Sequence, residues 1–386
     1  MAGAHAVLSA SGAHRWLNCP PSAQLEARMP DTTSVYADEG TLAHSLGELR
    51  LKQALGGIAK AEYESALTPI QAHELYADEM PDYVSQYCEY VLEALSEAKV
   101  RTEDPLVFLE QRLDFSKWVP EGFGTGDCII IADGTMEIVD LKYGKGVAVS
   151  ADRNPQMMLY ALGALDGFGF IYDVDRVRMT VHQPRLDNVS SWEIAADELL
   201  TWAEDELRPK AQLAWEGRGD AAAGDWCRFC KVKARCRTRA EAVQAAAGAF
   251  GLKAPNLLKI DEIAQILNLA EEVQSWAKDI QDFALEQARD HGVKFNGWKL
   301  VEGRSNRRYA DEGAVEEALV QAKYRKRDIF QEPKLLGISA MEKLLGKKRF
   351  AELLDGLVIK PPGQPALVAE SDPRPELDSA TADFDL

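Results

Sequence analysis

The sequence lacks three features that would assign it to a particular class of protein. It contains no apolar run near the roughly 20 residues that a membrane-spanning helix needs, and its first six residues do not resemble a signal peptide. It also has no G-x-x-x-x-G-K-[ST] loop, which argues against a built-in ATPase or helicase. We therefore expect a cytoplasmic protein without a motor of its own.

Net positive charge is also lacking. The formal net charge of the 386 residues is −18, which argues against a protein that coats nucleic acid. An enzyme with a local basic groove remains compatible with this charge. Part of the acidic excess lies after Pro361-Pro362-Gly363, so we predict that residues 363–386 form an acidic, disordered tail.

Cysteine is scarce but clustered. Six cysteines occur, and in a reducing compartment their spacing favours a metal site over disulfides. The motif C-x₂-C-x₅-C places Cys227, Cys230 and Cys236 close together. A fourth ligand is needed, and Cys19, at the end of a predicted helix before two prolines, is free to reach it. Cys88 is predicted mid-helix, and Cys128 is predicted to point away from the site described next. Four thiolates suit either zinc or an iron–sulfur cluster.

The most informative stretch is a predicted β-hairpin over residues 126–142. Asp133-Gly134 between two β-branched apolar runs is a strong hairpin signal, since both residues tolerate positive φ. A two-residue turn places Asp127 opposite Asp140, and Lys142 on the same face as Asp140. Two opposed carboxylates repel each other unless a divalent cation lies between them, and with the lysine they suit metal-assisted hydrolysis of a phosphodiester. The alternative is an ordinary surface hairpin with scattered charges.

The order of predicted elements is helix, three strands, helix, strand, helix, which indicates an α/β core with a mixed sheet. A strand at 105–113 precedes the hairpin, and a further strand is expected at 177–181. Residues 293–303 read as a hairpin or extended strand around Trp298. Helices are expected over residues 41–54, 70–99, 195–215, 257–291 and 311–358, and in a segment with Pro155 in its first turn.

Four side chains outside the hairpin are candidates for the same site. His44 lies on a predicted helix, and Glu110 is a charge inside an apolar strand, which needs a reason. Gln156 and Tyr160 share one helix face, four residues apart. His44 could instead be a core histidine, and Gln156 and Tyr160 could merely pack against the sheet.

Taken in order, these pieces resemble the RecB-type nucleases of the PD-(D/E)xK superfamily, over roughly residues 8–240. The resemblance implies a restriction-endonuclease-like core with a mixed central sheet flanked by helices, and a mostly helical C-terminal region. It implies that Lys142 is the catalytic lysine and that Glu110 supports catalysis or a second metal. It further implies that Mg²⁺ or Mn²⁺ is bound by His44, Asp127, Asp140 and the Leu141 main-chain carbonyl, and that Gln156 and Tyr160 meet the DNA. The pieces that carry it are Gly40-Thr41-Leu42-Ala43-His44, Glu110, Gly126 with Asp127, Asp140-Leu141-Lys142, and Gln156 with Tyr160.

The cysteine pattern resembles the [4Fe–4S] staple of AddB-type and CRISPR-associated four-cysteine nucleases. By that resemblance Cys19, Cys227, Cys230 and Cys236 hold a structural cluster, with zinc as the alternative. The domains are then expected at residues 1–245 for the nuclease, 250–362 for a mainly helical accessory region, and 363–386 for the tail.

We therefore expect a Mg²⁺- or Mn²⁺-dependent DNA exonuclease, similar to stand-alone phage or prophage enzymes of recombination, replication or repair. Its partners would be DNA ends and a phage single-strand-binding or annealing protein. The alternatives are a catalytically silent DNA-binding scaffold with the same fold and a zinc-stapled interaction protein. The basic residues among the cysteines could bind phosphate or form a solvated face: Arg228, Lys231, Lys233, Arg235, Arg237 and Arg239.

Overall fold

The computed structural model describes residues 6–30, 35–248 and 260–299. The chain divides into two compact units, Met1–Ala284 and Leu285–Leu386. The predicted helix at 311–358, its basic residues and the acidic tail lie outside the described residues. The expected domain boundary near residues 245–250 stays a prediction.

A mixed five-stranded sheet forms the centre of the first unit, in the order β1-β2-β3-β4-β5. Strands β3 and β4 are parallel, and the other neighbours are antiparallel. The predicted α/β class with a mixed sheet is therefore confirmed. The strands are β1 Leu106–Asp114, β2 Phe123–Ala132, β3 Gly134–Leu141, β4 Val174–Gln183 and β5 Asn188–Ala195.

Helices cover both faces of the sheet. One buried cluster packs beneath α6 and includes Ile129 and Ile138, and a second packs against α3 and α5 and includes Ile130 and Val139. The continuous apolar run of β2 follows from this burial on both faces. The helices are α1 Ala13–Asn18, α2 Ser22–Glu26, α3 Val35–Ala54, α4 Lys60–Gln71, α5 Met80–Arg101, α6 Pro155–Phe168, α7 Ala196–Trp202, α8 Arg208–Glu216, α9 Arg237–Gly248 and α10 Ile260–Asp290.

The chain returns on itself between α2 and α8. The Gln24 side-chain amide donates a 2.7 Å hydrogen bond to the Trp215 carbonyl, 191 residues further along. A five-residue π-helical turn, Ala203–Leu207, joins α7 to α8. Such turns are rare and often occur at functional sites.

Three helix predictions can be compared with the structure. Helix α6 begins as expected, because the Asn154 side chain accepts hydrogen bonds from the Gln156 and Met157 amides and Pro155 needs no partner for its nitrogen. The helix at 257–291 is confirmed as α10. The helix expected from Thr41 instead begins at Val35, and the Thr41 hydroxyl donates to the Ala37 carbonyl inside it.

Two further predictions were wrong in part, and one strand was missed. The helix expected at 70–99 begins only at Met80, as α5, with Pro81 in its first turn, and Gln71 ends a separate helix, α4. Strand β5 was missed, because it exposes Val189 and Ser191 and so lacks a clear apolar alternation. Residues 293–299 contain no strand around Trp298. In the parts of the chain that are described, no helix has the length and apolarity to cross a membrane.

Candidate functional site

The hairpin has the register that the sequence predicts. Its pairs run from Ala132–Thr135 to Cys128–Val139, so Asp127 and Asp140 occupy the next position. The turn differs in detail, because φ is positive only at Gly134, at +75°, and not at Asp133. The Asp133 amide donates instead to the Thr102 hydroxyl at 2.8 Å. The turn is therefore not of the mirror-image type I′, which requires positive φ at both residues.

Glu110 extends the row of carboxylates to a third strand. The pairs Leu109–Cys128 and Gln111–Gly126 lie on either side of it, which places Glu110 opposite Asp127. Its φ is +46°, a left-handed conformation that is uncommon for a residue with a side chain. Strain of this kind is concentrated at functional sites. Glu110, Asp127 and Asp140 thus form one row across β1, β2 and β3, which we call the carboxylate row.

Helix α3 brings His44 to the end of this row. The imidazole Nδ1 lies 3.3 Å from Asp127 Oδ1 and 3.6 Å from Glu110 Oε1. One ligand atom from each of these three residues lies within 4.8 Å of the others, so the group could hold a metal ion. The structure thus brings His44 beside Asp127, and the role of the two as metal ligands stays a prediction.

Lys142 and α6 close the other side of the row. Lys142 Nζ lies 3.0 Å from Asp140 Oδ1 and 2.8 Å from Oδ2, so the ammonium contacts both carboxylate oxygens. The Gln156 amide donates to Asp140 Oδ1 at 3.3 Å and to the Tyr160 hydroxyl at 3.1 Å. The Leu141 amide donates to Asp127 Oδ2 at 2.6 Å. The structure therefore brings together all the residues that the sequence assigned to hydrolysis.

The charges of the site perturb one another. Burial alone would lower the pKa of His44, but Asp127 and Glu110 raise it to about 10. Burial would raise the pKa of Asp127, but His44 and Lys142 hold it below its usual value. The pKa of Asp140 is raised by burial and by the charge of Asp127, against the effect of Lys142. Lys142 has a raised pKa because Asp140 and Asp127 outweigh its burial. An imidazolium and an ammonium therefore balance the carboxylates.

The four predicted cysteine ligands line one cavity of about 470 Å³. Cys19 caps α1, Cys227 lies in a short 3₁₀ turn, and Cys230 and Cys236 follow. Burial raises the pKa of Cys230 to about 11. The thiols do not converge into a ligand group; in the described ranges only His44, Glu110 and Asp127 do so.

The two excluded cysteines lie elsewhere, as predicted. Cys128 is fully buried on the opposite face of β2 from Asp127, in the core beneath α5. Cys88 is buried within α5, where its thiol donates to the Gly47 carbonyl at 3.8 Å.

Three of the six basic residues among the cysteines contact α10. Lys233 Nζ and Arg239 Nη1 lie 2.8 Å and 2.6 Å from the carboxylate of Asp279. The Arg235 guanidinium lies 5.4 Å from the Phe283 ring centre. These contacts favour a structural role for this part of the basic segment. No local pattern marks Asp279, which is one of several acidic residues on a long amphipathic helix.

Comparison with known proteins shows that the chain matches a protein family. The family model described as "Protein of unknown function (DUF2800)" matches residues 5–375. A solved structure described as "Crystal structure of SSO0001" is 14% identical, and the match covers 58% of this chain and 96% of that chain. Its TM-score of 0.21 is too low to carry an argument.

Proposed function

The chain belongs to the DUF2800 family, and we propose that it is a metal-dependent deoxyribonuclease with a PD-(D/E)xK-type core of the RecB kind. The carboxylate row, with His44 at one end and Lys142 at the other, is the observation that carries the proposal. A surface hairpin with scattered charges has no reason to bury Asp140 to 2% exposure beside a second carboxylate.

The side chains at the row fit Mg²⁺ or Mn²⁺. Carboxylate oxygens with one imidazole are suitable ligands for these hard cations. Both oxygens of the buried Asp140 carboxylate contact the Lys142 ammonium, at 3.0 Å and 2.8 Å, and each oxygen has a further lone pair that can face an ion. His44, Glu110, Asp127 and Asp140 would hold the ion, which when bound polarises the phosphate and lowers the pKa of a water molecule.

Lys142 has a separate task from the ligands. Its raised pKa makes it an ammonium, which donates hydrogen bonds and does not accept a proton. An ammonium has three N–H groups, and among the residues that the structure describes its close contacts are to Asp140. A remaining N–H can orient the attacking water or hold a phosphate oxygen as negative charge develops there.

Gln156 and Tyr160 are placed to position the DNA strand. Both lie on the face of α6 that meets Asp140. An amide and a phenol within reach of the reacting phosphate can hold its neighbour by hydrogen bonds that carry no sequence information.

For the cysteine cavity we propose a structural [4Fe–4S] cluster. Tetrahedral zinc with Zn–S bonds of about 2.3 Å needs its four sulfurs roughly 4 Å apart, whereas a cluster with one cysteine on each iron keeps them further apart. The four thiols share a cavity without such close convergence, which supports the larger group. Anaerobic purification tests this: a brown protein with cluster absorbance is expected, and a colourless protein loaded with zinc would show that the proposal is wrong.

The nuclease proposal is tested with linear single- and double-stranded DNA in Mg²⁺ or Mn²⁺. Wild type should release nucleotides or short fragments, and Lys142→Ala should lose most of this activity. Lys145→Ala is the matched control, since Lys145 is exposed and approaches only Glu79, at 3.8 Å. Inert wild type with every metal and substrate, or full activity in Lys142→Ala, would contradict the proposal. Circular substrates separate exonuclease from endonuclease cleavage.

A further inference from the structure

A second cavity of about 470 Å³ lies across α6 from the carboxylate row. Met158 lines it, whereas Gln156 and Tyr160 contact the row. At 3.6 residues per turn, Met158 points to the side of α6 opposite to these two residues. The volume is within the range of small-molecule and cofactor sites, about 300–1,000 Å³. We call it the tryptophan cavity, after Trp192 of β5 and Trp202 of α7 in its wall.

The wall of the tryptophan cavity offers aromatic surface. Trp192 and Trp202 are each only partly buried, and Met158 and Ile194 add apolar surface beside them. Neither indole N–H makes a hydrogen bond to another residue in the described part of the chain, whereas those of Trp16, Trp118 and Trp226 do. Aromatic side chains with an accessible face are the usual platform for an unpaired nucleobase.

The rim of the cavity is rich in hydrogen-bond acceptors. Glu198, Asp205 and Glu206 line it, and Asp205 and Glu206 belong to the π-helical turn. Only Glu206 has a charged partner within the described ranges, Lys210 at 3.6 Å. Carboxylates accept hydrogen bonds from the amino and imino groups of bases but repel phosphates. Lys210 also lines the cavity and pairs with Glu206, so the two remaining carboxylates, Glu198 and Asp205, favour the base of a nucleotide over its phosphate at this part of the rim.

Arg153 supplies the complementary charge at the edge of the cavity. It precedes the cap of α6, and its φ of +48° is left-handed. Its guanidinium forms no ion pair with any described residue. A free guanidinium beside a base-sized cavity is suited to the phosphate of the same strand. Arg153 lies three residues before Gln156. One strand of DNA can therefore contact both of these residues.

We propose that the tryptophan cavity binds one nucleobase of a single-stranded segment of DNA, stacked against Trp192 and Trp202, with an adjacent phosphate on Arg153. This rests on the proposed function. The helix between the cavity and the carboxylate row is about 10–12 Å across. A strand must go around this helix, so at about 3.4 Å per stacked nucleotide the bound base is more than about three nucleotides from the phosphodiester that is cut.

The test is binding of single-stranded oligonucleotides without divalent metal, so that no cleavage occurs. Oligonucleotides carry 2-aminopurine at successive positions, and its fluorescence should be quenched at the one position that enters the cavity. Trp192→Leu and Trp202→Leu should each abolish the quenching and weaken binding about five- to 100-fold, the loss expected for one base–aromatic stack. Trp215→Leu, at a partly buried tryptophan outside the cavity, should change neither.

The outcomes separate this inference from the nuclease proposal. Position-specific quenching that is lost in both cavity variants supports the subsite even if no metal produces cleavage. Cleavage and binding that are equal in Trp192→Leu, Trp202→Leu and Trp215→Leu overturn the subsite and leave the nuclease intact. Asp205→Ala removes an acceptor for the base, so it should weaken oligonucleotide binding, and unchanged or tighter binding would contradict the role given to the rim. If a lysine-rich peptide displaces the oligonucleotide and Asp205→Ala abolishes binding of that peptide, the cavity is a protein-docking site and the inference is wrong.

Discussion

His44 Nδ1 lies 3.3 Å from Asp127 Oδ1, and this pair connects metal binding to proton release. Asp127 and Glu110 raise the pKa of His44 to about 10, so the metal-free site holds a proton on His44 at neutral pH. An imidazole must lose that proton before it binds a metal through this nitrogen.

Metal affinity should therefore rise with pH. Between pH 7 and pH 9 we expect the Mn²⁺ affinity of wild type to increase by up to about tenfold per pH unit, with close to one proton released per ion. Calorimetry in buffers of different ionisation enthalpy measures the released proton. His44→Gln should bind Mn²⁺ more weakly and release no proton over this range. Equal proton release in the two proteins would show that His44 is not a ligand.

The stability of the metal-free protein should have the opposite dependence on pH. The pKa of His44 is about 10 in the folded protein against 6.5 as its ordinary value. A raised pKa stabilises the fold fully below pH 6.5, and this contribution is lost as the pH rises through about 10. The difference in the free energy of unfolding between wild type and His44→Gln should therefore shrink between pH 6.5 and pH 10. His291→Gln, at an exposed histidine, should show no such trend.

The left-handed backbone at Glu110 should lower the stability of the fold, and a glycine at this position should remove that strain. A left-handed backbone costs a residue with a side chain about 1–2 kcal/mol, and glycine adopts it freely. Glu110→Gly and Glu110→Gln both remove the carboxylate, but only the first relieves the backbone. We expect Glu110→Gly to be more stable than Glu110→Gln by about 1 kcal/mol in urea unfolding, and both to bind metal more weakly. If Glu110→Gln is at least as stable as Glu110→Gly, the backbone at residue 110 is not strained.

Asp279 should be important for the attachment of α10 to the cysteine segment. Arg239 is 4% exposed, and Asp279 is its ion-pair partner. Breaking a buried ion pair from one side leaves an uncompensated charge and costs about 3–5 kcal/mol. Asp279→Ala should lower the free energy of unfolding by this order and expose α10 to proteolysis. Asp282→Ala, an exposed acidic residue of the same helix, should be close to neutral.

Much of the site could be predicted because its signals are local. The Asp-Gly turn set the register of the hairpin, and with it the pairing of Asp127 with Asp140 and the side of Lys142. Parity along the strand then separated Cys128 from the carboxylate row. The Asn154-Pro155 start of α6 likewise placed Gln156 and Tyr160 on one helix face.

The rest depends on partners that are distant in sequence. The left-handed backbone of Glu110 could not be predicted, because its surrounding strand pattern is ordinary. Asp279 and the two cavity tryptophans carry no local pattern, and their roles arise from elements that meet only in the folded chain. Strand β5 was missed for a different reason: its partner β4 is close in sequence, but an exposed edge strand lacks the apolar alternation that reveals a strand.

The hydrogen bond from Gln24 to the Trp215 carbonyl can form only late in translation. The ribosome makes α2 long before α8, so the N-terminal helices must wait without that partner until more than 200 residues have been translated. Pairings over such sequence distances slow folding, and a nascent chain with α1 and α2 unpacked exposes the thiol of Cys19. A prosthetic group that needs both Cys19 and Cys236 can therefore be inserted only near the end of translation, after the sheet has formed.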